Sequence, residues 1–126
     1  MAVPILKQGP FLIASIQSAL TDTDVLQLRD DVMSQVTRHR SRGIIVDVTA
    51  LDVMDSFVSR SLRSIAMMTR LRGAQTVIVG IQPEVAFAMV QLGMNFEDVH
   101  TALDLEEGLA FLQRQLNNEE NDVGGG

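Results

Sequence analysis

A serine and three aspartates lie close together near the middle of the chain, and their side chains are the strongest candidates for chemistry. Asp47, Asp52 and Asp55 fall within the stretch Val46–Phe57, and Ser56 directly follows the last of them. Asp and Ser at the start of a helix commonly cap its free backbone N–H groups, which is a structural role. A serine hydroxyl on such a rigid, exposed position is also accessible to a kinase. The spacing therefore leaves two interpretations of Ser56, helix capping and phosphorylation.

The residues that follow Ser56 favour a surface that binds a partner. Phosphorylation would add about −1.5 to −2 charge at Ser56. Arg60 and Arg63 lie on or near the same predicted helical face and would partly offset that charge. Met67 falls beside these arginines on the predicted outer face, where an apolar side chain suits a protein interface. Ser59 is the alternative phosphoacceptor.

An aspartyl-phosphate receiver domain is a competing interpretation, with Asp47 as the acceptor at the end of a central strand. Such a domain needs an acidic pair after its first strand to hold Mg²⁺, and a lysine after its last strand. The chain has no acidic residue before Asp22, and its only lysine is Lys7. The supporting residues of a receiver are therefore missing.

Other catalytic and metal-dependent functions have little support. The chain contains no cysteine, which excludes thiolate nucleophiles, zinc–cysteine sites and iron–sulfur clusters. His39 and His100 have no HxH or HxxxH spacing, and no serine lies in a G-x-S-x-G motif. We therefore expect a protein that is not an enzyme, with no catalytic residue, no metal and no cofactor.

The composition is typical of a cytoplasmic globular protein. A length of 126 residues fits one domain, and a hydrophobic content of 46% is enough for a core. The formal net charge of −6 argues against nucleic acid and anionic membranes as partners. No apolar run approaches the roughly 18 residues of a membrane span. Residues 1–75 carry a net charge of +2 and residues 76–126 carry −8, which predicts that Ser56 lies on the more basic part of the surface.

Alternating strand and helix signals predict an α/β fold. Two apolar runs, Val3–Leu6 and Phe11–Ile16, flank a Lys-Gln-Gly-Pro turn and predict an antiparallel hairpin. The β-branched runs Ile44–Val48 and Thr76–Ile81 predict buried parallel strands, and a short strand is expected near residues 99–101. About four helices are predicted, beginning at Thr21–Asp24, Asp55–Ser56, Pro83 and Asp104 and ending near Gly43, Gly73, Leu92 and Leu116. The predicted domain covers residues 1–116, and residues 117–126 are predicted to be a disordered acidic and glycine-rich tail.

The order of these elements and three sequence stretches resemble the STAS domain of anti-anti-sigma factors over about residues 3–116. The three stretches are Ile45–Phe57, Gly80–Ala86 and Thr101–Leu109. An Asp-Ser pair is typical of STAS domains in general. Asp-Ser-Phe together with Gly-Ile-Gln-Pro is similar to the short antagonist subunits of the stressosome, the RsbS type. Phe57 and Val58 stand where ordinary anti-anti-sigma factors tend to have a small residue and a glycine.

This resemblance implies a single STAS domain that acts as a stressosome scaffold and as a serine-kinase antagonist. Such a protein would self-associate through its STAS domain and co-assemble with a sensor-type STAS paralogue. It would sequester a serine kinase of the histidine-kinase-like ATPase class and release it when Ser56 is phosphorylated, and a PP2C-type phosphatase would reset it. The implied partner surface around Ser56 consists of Asp47, Asp52, Asp55, Phe57, Ser59, Arg60, Arg63 and Met67. The alternative is a free anti-anti-sigma factor that regulates an anti-sigma kinase.

Overall fold

Strands and helices alternate along the chain, as the sequence predicts. The computed structural model describes the backbone of residues 2–125 and the side chains of residues 2–120. The strands are β1 (Ile5–Gln8), β2 (Phe11–Ser15), β3 (Gly43–Asp47), β4 (Gln75–Val79) and β5 (His100–Ala102). The helices are α1 (Asp22–His39), α2 (Ser56–Leu71), α3 (Pro83–Gln91) and α4 (Leu105–Gly125).

The strands form one five-stranded sheet in the order β1-β2-β3-β4-β5. β1 pairs antiparallel with β2, and all other neighbours pair in parallel. This arrangement confirms the predicted α/β fold with an N-terminal hairpin. Because β2 to β5 run in the same direction, their carboxyl ends lie on one side of the sheet, and each helix begins on that side. We call this side the carboxyl end of the sheet.

A hydrophobic core lies on each face of the sheet. Successive side chains of a strand point to opposite faces, and in β3 Ile44 and Val46 pack into the larger core with α1 and α2. Ile45 packs into the smaller core beneath α4. Because both faces are covered, β3 has the continuous apolar run that the sequence shows. α3 contributes Val85 and Met89 to the larger core.

The sequence predicts that Gly43 ends α1, but in the structure this glycine begins β3 and has a packing role. α1 ends at His39, and its C-cap Arg40 adopts the left-handed conformation with φ 50° and donates its N–H to the carbonyl of Val36. Gly43 is the first residue of β3, and a Cβ built there would lie 2.8 Å from both Cδ atoms of Leu112 on α4. The glycine is needed because α4 packs directly against the sheet at this point, which no local signal reveals.

α4 is longer than the sequence predicts. It continues to Gly125, so the backbone of residues 117–125 is helical where a disordered tail is expected. Gly126 lies outside the described residues. Glu119 in this extension forms an ion pair with Arg42, which precedes β3. This contact favours continuation of the helix along a segment whose asparagines and glycines are weak helix formers.

Candidate functional site

Ser56 is the first residue of α2, but it does not cap the helix. The N-cap is Asp55, whose Oδ1 accepts a hydrogen bond from the Val58 N–H at 2.8 Å. Ser56 is exposed, and its hydroxyl has no hydrogen-bond partner among the described residues. Since Asp55 satisfies the capping requirement, the Ser56 hydroxyl is available to a partner.

The loop between β3 and α2 is held in place by the end of β3 and by the start of α3. Asp47 Oδ1 accepts hydrogen bonds from the Thr49 N–H at 2.9 Å and from the Thr49 hydroxyl at 2.6 Å. Gln82 Nε2 donates to the Thr49 carbonyl at 2.6 Å. Leu51 and Met54 are buried further along the loop. Asp47 therefore has a structural role, because it holds the loop that carries Ser56.

Gly80 joins this loop to the two other stretches that the sequence singles out. Its φ is +80°, and a Cβ built there would lie 2.0 Å from Thr49 Oγ1. The Gly80 N–H donates to the carbonyl of Ala102 at 3.2 Å. The stretches 45–57, 80–86 and 101–109, which are far apart in sequence, therefore meet at the carboxyl end of the sheet. Gly80 and Gln82 are the positioning residues that sequence reasoning did not assign to the site.

Carboxylates surround the carboxyl end of the sheet. Acidic residues are favourable at the start of a helix, where they interact with the helix dipole. Because every helix begins at this end of the sheet, their carboxylates lie at the same end as those of the β3–α2 loop. They are Asp22, Asp24, Asp47, Asp52, Asp55, Glu84, Asp104, Glu106 and Glu107. The net charges of the two halves of the sequence therefore do not show how charge is distributed over the folded domain. Ser56 lies at the carboxylate-rich end of the sheet, although α2 itself carries only basic charges.

Phe57 and Arg60 lie on a groove between α1 and α2. Phe57 is half-buried against the larger core, and Arg60 is exposed. The groove has a volume of about 400 Å³ and is lined by Val25, Leu26, Arg29, Phe57, Arg60, Ser61, Ser64 and Ile65. Leu26 and Arg29 of α1 were not found from the sequence, because only the packing of the two helices brings them beside α2.

The remaining predicted site residues are distributed around α2. Ser59 is 2% exposed and its hydroxyl has no hydrogen-bond partner among the described residues, so it is not accessible as an alternative phosphoacceptor. Arg63 turns away from Ser56, with Nη2 3.6 Å from Asp98 Oδ2. Met67 is 55% exposed, in agreement with its predicted place on the outer face. Asp52 is exposed in the loop before α2.

Within the described part of the chain, no group of three or more His, Cys, Asp or Glu side chains is placed to hold a metal ion. None of the helices in residues 2–125 is long and apolar enough to cross a membrane.

Comparisons with known proteins agree with the fold. A family model described as the STAS domain matches residues 2–108. The RsbT co-antagonist protein RsbRA of Bacillus subtilis is 30% identical over 83 residues, which cover 66% of this chain and 30% of RsbRA. Its relative RsbRD is 30% identical over 81 residues, which cover 64% of this chain and 29% of RsbRD. The chain therefore spans less than a third of the length of these curated relatives.

Two solved structures are similar over most of the chain. A serine-to-glutamate variant of RsbS from Moorella thermoacetica is 32% identical, with a TM-score of 0.79, over 91% of this chain and 97% of that one. A chain from a structure of the stressosome, described as a signal integration and transduction hub, is 32% identical, with a TM-score of 0.73, over 90% of this chain and 98% of that one.

Proposed function

The chain belongs to the STAS domain family, and from that premise we propose that it is a stressosome subunit of the RsbS type, a scaffold that also antagonises a serine kinase. Its relatives are RsbR-type co-antagonists and RsbS. The likeness to RsbS covers 97% of that chain, whereas the match to RsbRA covers 30% of RsbRA. RsbS is therefore the better guide to the function, and the proposed role requires no catalytic residue.

The observation that carries the proposal is the Ser56 hydroxyl. It stands at the rigid start of a helix, it is exposed, and Asp55 leaves it no capping role. In the proposed reaction the Ser56 oxygen attacks the γ-phosphorus of kinase-bound ATP, the bond from that phosphorus to ADP breaks, and the hydroxyl proton is lost. A neutral hydroxyl becomes a group with about −1.5 to −2 charge.

Phosphorylation would change the surface without refolding the domain. The cap at Asp55 does not involve the Ser56 side chain, so α2 would keep its N-terminus. The new phosphate would stand beside the carboxylates of Asp52 and Asp55. We propose that the kinase is released because a neutral contact is lost and like charge is added to an end of the domain that is already acidic.

The proposed partners follow from the same role. In the cytoplasm the chain would co-assemble with RsbR-type STAS paralogues and with further copies of itself. It would hold a serine kinase of the histidine-kinase-like ATPase class in the unphosphorylated state. A PP2C-type phosphatase would hydrolyse the phosphoserine and restore the neutral hydroxyl.

Binding of the purified cognate kinase to Ser56 variants tests this function. We expect Ser56→Ala to bind like the unmodified protein and Ser56→Asp to bind at least tenfold more weakly, while both keep the circular dichroism spectrum of the parent. Ser34, an exposed serine on α1, provides the control, and Ser34→Asp should bind normally.

Tight binding by Ser56→Asp, or kinase-dependent phosphate on another residue, would contradict the proposal. The size of the complex separates the two roles that the resemblance leaves open. Mixing the chain with an RsbR-type paralogue should produce a large assembly, whereas a free anti-anti-sigma factor would form only a small complex with its kinase.

A further inference from the structure

The groove between α1 and α2 combines an apolar floor with a cationic rim. Val25 and Ile65 are buried at its base, and Leu26 is 46% exposed on the α1 side. Arg29 and Arg60 stand on opposite walls, and no carboxylate lines the groove. A volume of about 400 Å³ lies within the range of pockets that bind large side chains or ligands.

Arg60 is the α2 cation that is free to meet a partner at this groove. Arg63 turns toward the Asp98 carboxylate at 3.6 Å, and Arg70 donates to the Asp98 carbonyl at 2.6 Å. Arg29, across the groove, lies 3.0 Å from the carboxylate of Asp30. Arg60 has no hydrogen-bond or ion-pair partner among the described residues.

We propose that this groove is the docking site for an acidic amphipathic segment of the kinase, and that phosphate on Ser56 displaces the segment by pairing with Arg60. The inference rests on the proposed function and names the chemistry of the partner. The apolar floor would accept large aliphatic or aromatic side chains of the segment. Arg60 would pair with one of its carboxylates, since complementary charge sets specificity and association rate at such a surface.

The spacing of Ser56 and Arg60 makes this competition possible within one helix. Residues four apart on a helix are neighbours, with Cβ atoms about 5–6 Å apart. A phosphate on Ser56 would therefore lie within reach of the Arg60 guanidinium, which binds phosphate through two parallel hydrogen bonds. The phosphate would neutralise the cation of the groove and repel the incoming carboxylate at the same time.

Kinase affinity measured by calorimetry in matched variants tests the docking site. Arg60→Gln should bind the purified cognate kinase about tenfold more weakly, which corresponds to about 1.4 kcal/mol. It should also lose part of the salt dependence that the parent protein shows. Arg70→Gln is the control, because Arg70 lies on the same helix but donates to the Asp98 carbonyl, and it should bind within about twofold of the parent.

The competition with phosphate is tested by a second comparison. Ser56 is phosphorylated in the parent and in the Arg60→Gln variant, and the loss of kinase affinity is measured for each. We expect a loss in Arg60→Gln that is several times smaller than in the parent. Equal losses of kinase affinity in the two proteins would show that the phosphate acts without Arg60. That result would overturn the proposed competition between phosphorylated Ser56 and the kinase segment for Arg60.

The binding results distinguish an error in the proposed docking site from an error in the proposed function. If the kinase binds the parent and Arg60→Gln equally well, the groove is not its docking site, while the role of Ser56 still stands. If Arg60→Gln keeps the kinase but loses assembly with an RsbR-type paralogue, the groove belongs to the scaffold and the inference is wrong. If the kinase does not bind the parent protein at all, both proposals are wrong.

Discussion

Replacement of Gly80 with alanine should destabilise the domain at the point where the three stretches of the candidate site meet. The substitution has two separable costs. The first is conformational, because φ is +80° at this position and a left-handed residue with a side chain costs about 1–2 kcal/mol. The second is steric, because the new Cβ would lie 2.0 Å from Thr49 Oγ1.

Rotation of the Thr49 side chain would not remove the steric cost. The new Cβ would still lie 3.1 Å from Thr49 Cβ and 3.2 Å from Thr49 Cα, and the rotated hydroxyl would lose its 2.6 Å hydrogen bond to Asp47. Inserting a methyl group into such a packed contact costs about 1–3 kcal/mol. The two contributions together predict a loss of about 2–5 kcal/mol in the free energy of unfolding.

Gly73 is a matched control for the conformational cost. Its φ is +84°, and a Cβ built there would meet nothing within 4 Å. Urea unfolding of Gly73→Ala should therefore show only the first cost, and Gly80→Ala should be less stable than Gly73→Ala by about 1–3 kcal/mol. If the free energy of unfolding falls with urea concentration at the same slope in both variants, their unfolded states are comparable. Equal losses in the two variants would refute the steric argument.

Two further measurements address the interior and the end of the chain. The hydroxyls of Thr69 and Thr76 are buried and lie 2.8 Å apart. Thr69→Val should lower the free energy of unfolding by about 1–3 kcal/mol because it leaves the Thr76 hydroxyl unpaired, and the variant with valine at both positions should recover most of that loss. Additive losses in a double-mutant cycle would contradict this. A chain that ends at Leu116 should have a free energy of unfolding within about 1 kcal/mol of that of the full chain, because among the described side chains it chiefly loses the exposed ion pair of Arg42 and Glu119. A larger loss in urea unfolding would show that the domain extends beyond residue 116.

Local signals in the sequence were sufficient for most of the fold. The N-cap at Asp55 and the proline at the start of α3 depend on neighbouring residues, so they could be predicted without knowing the tertiary structure. The strands β3 and β4 were found because a strand that is covered on both faces needs a continuous apolar run. The position of Ser56 at the start of α2 follows from the same local rules.

The parts that were not predicted depend on contacts between distant elements. Gly43 resembles a helix terminator in sequence, but the close approach of Leu112 explains it. The pairing of Arg63 with Asp98 joins residues on different elements, so the sequence could not show that Arg60 is the α2 arginine that lines the groove. The concentration of carboxylates at the end of the sheet where Ser56 lies follows from the parallel order of the strands, which places every helix start on one side.

The two edges of the sheet bear on how copies of this domain can meet. The edge strand β1 has four residues and β5 has three, and the only lysine of the chain, Lys7, lies on β1. An exposed edge can pair with the backbone of another molecule, and short strands and lysines are the features that oppose such pairing. Where two copies of this domain meet, these features favour contact through side chains over pairing of the two sheets.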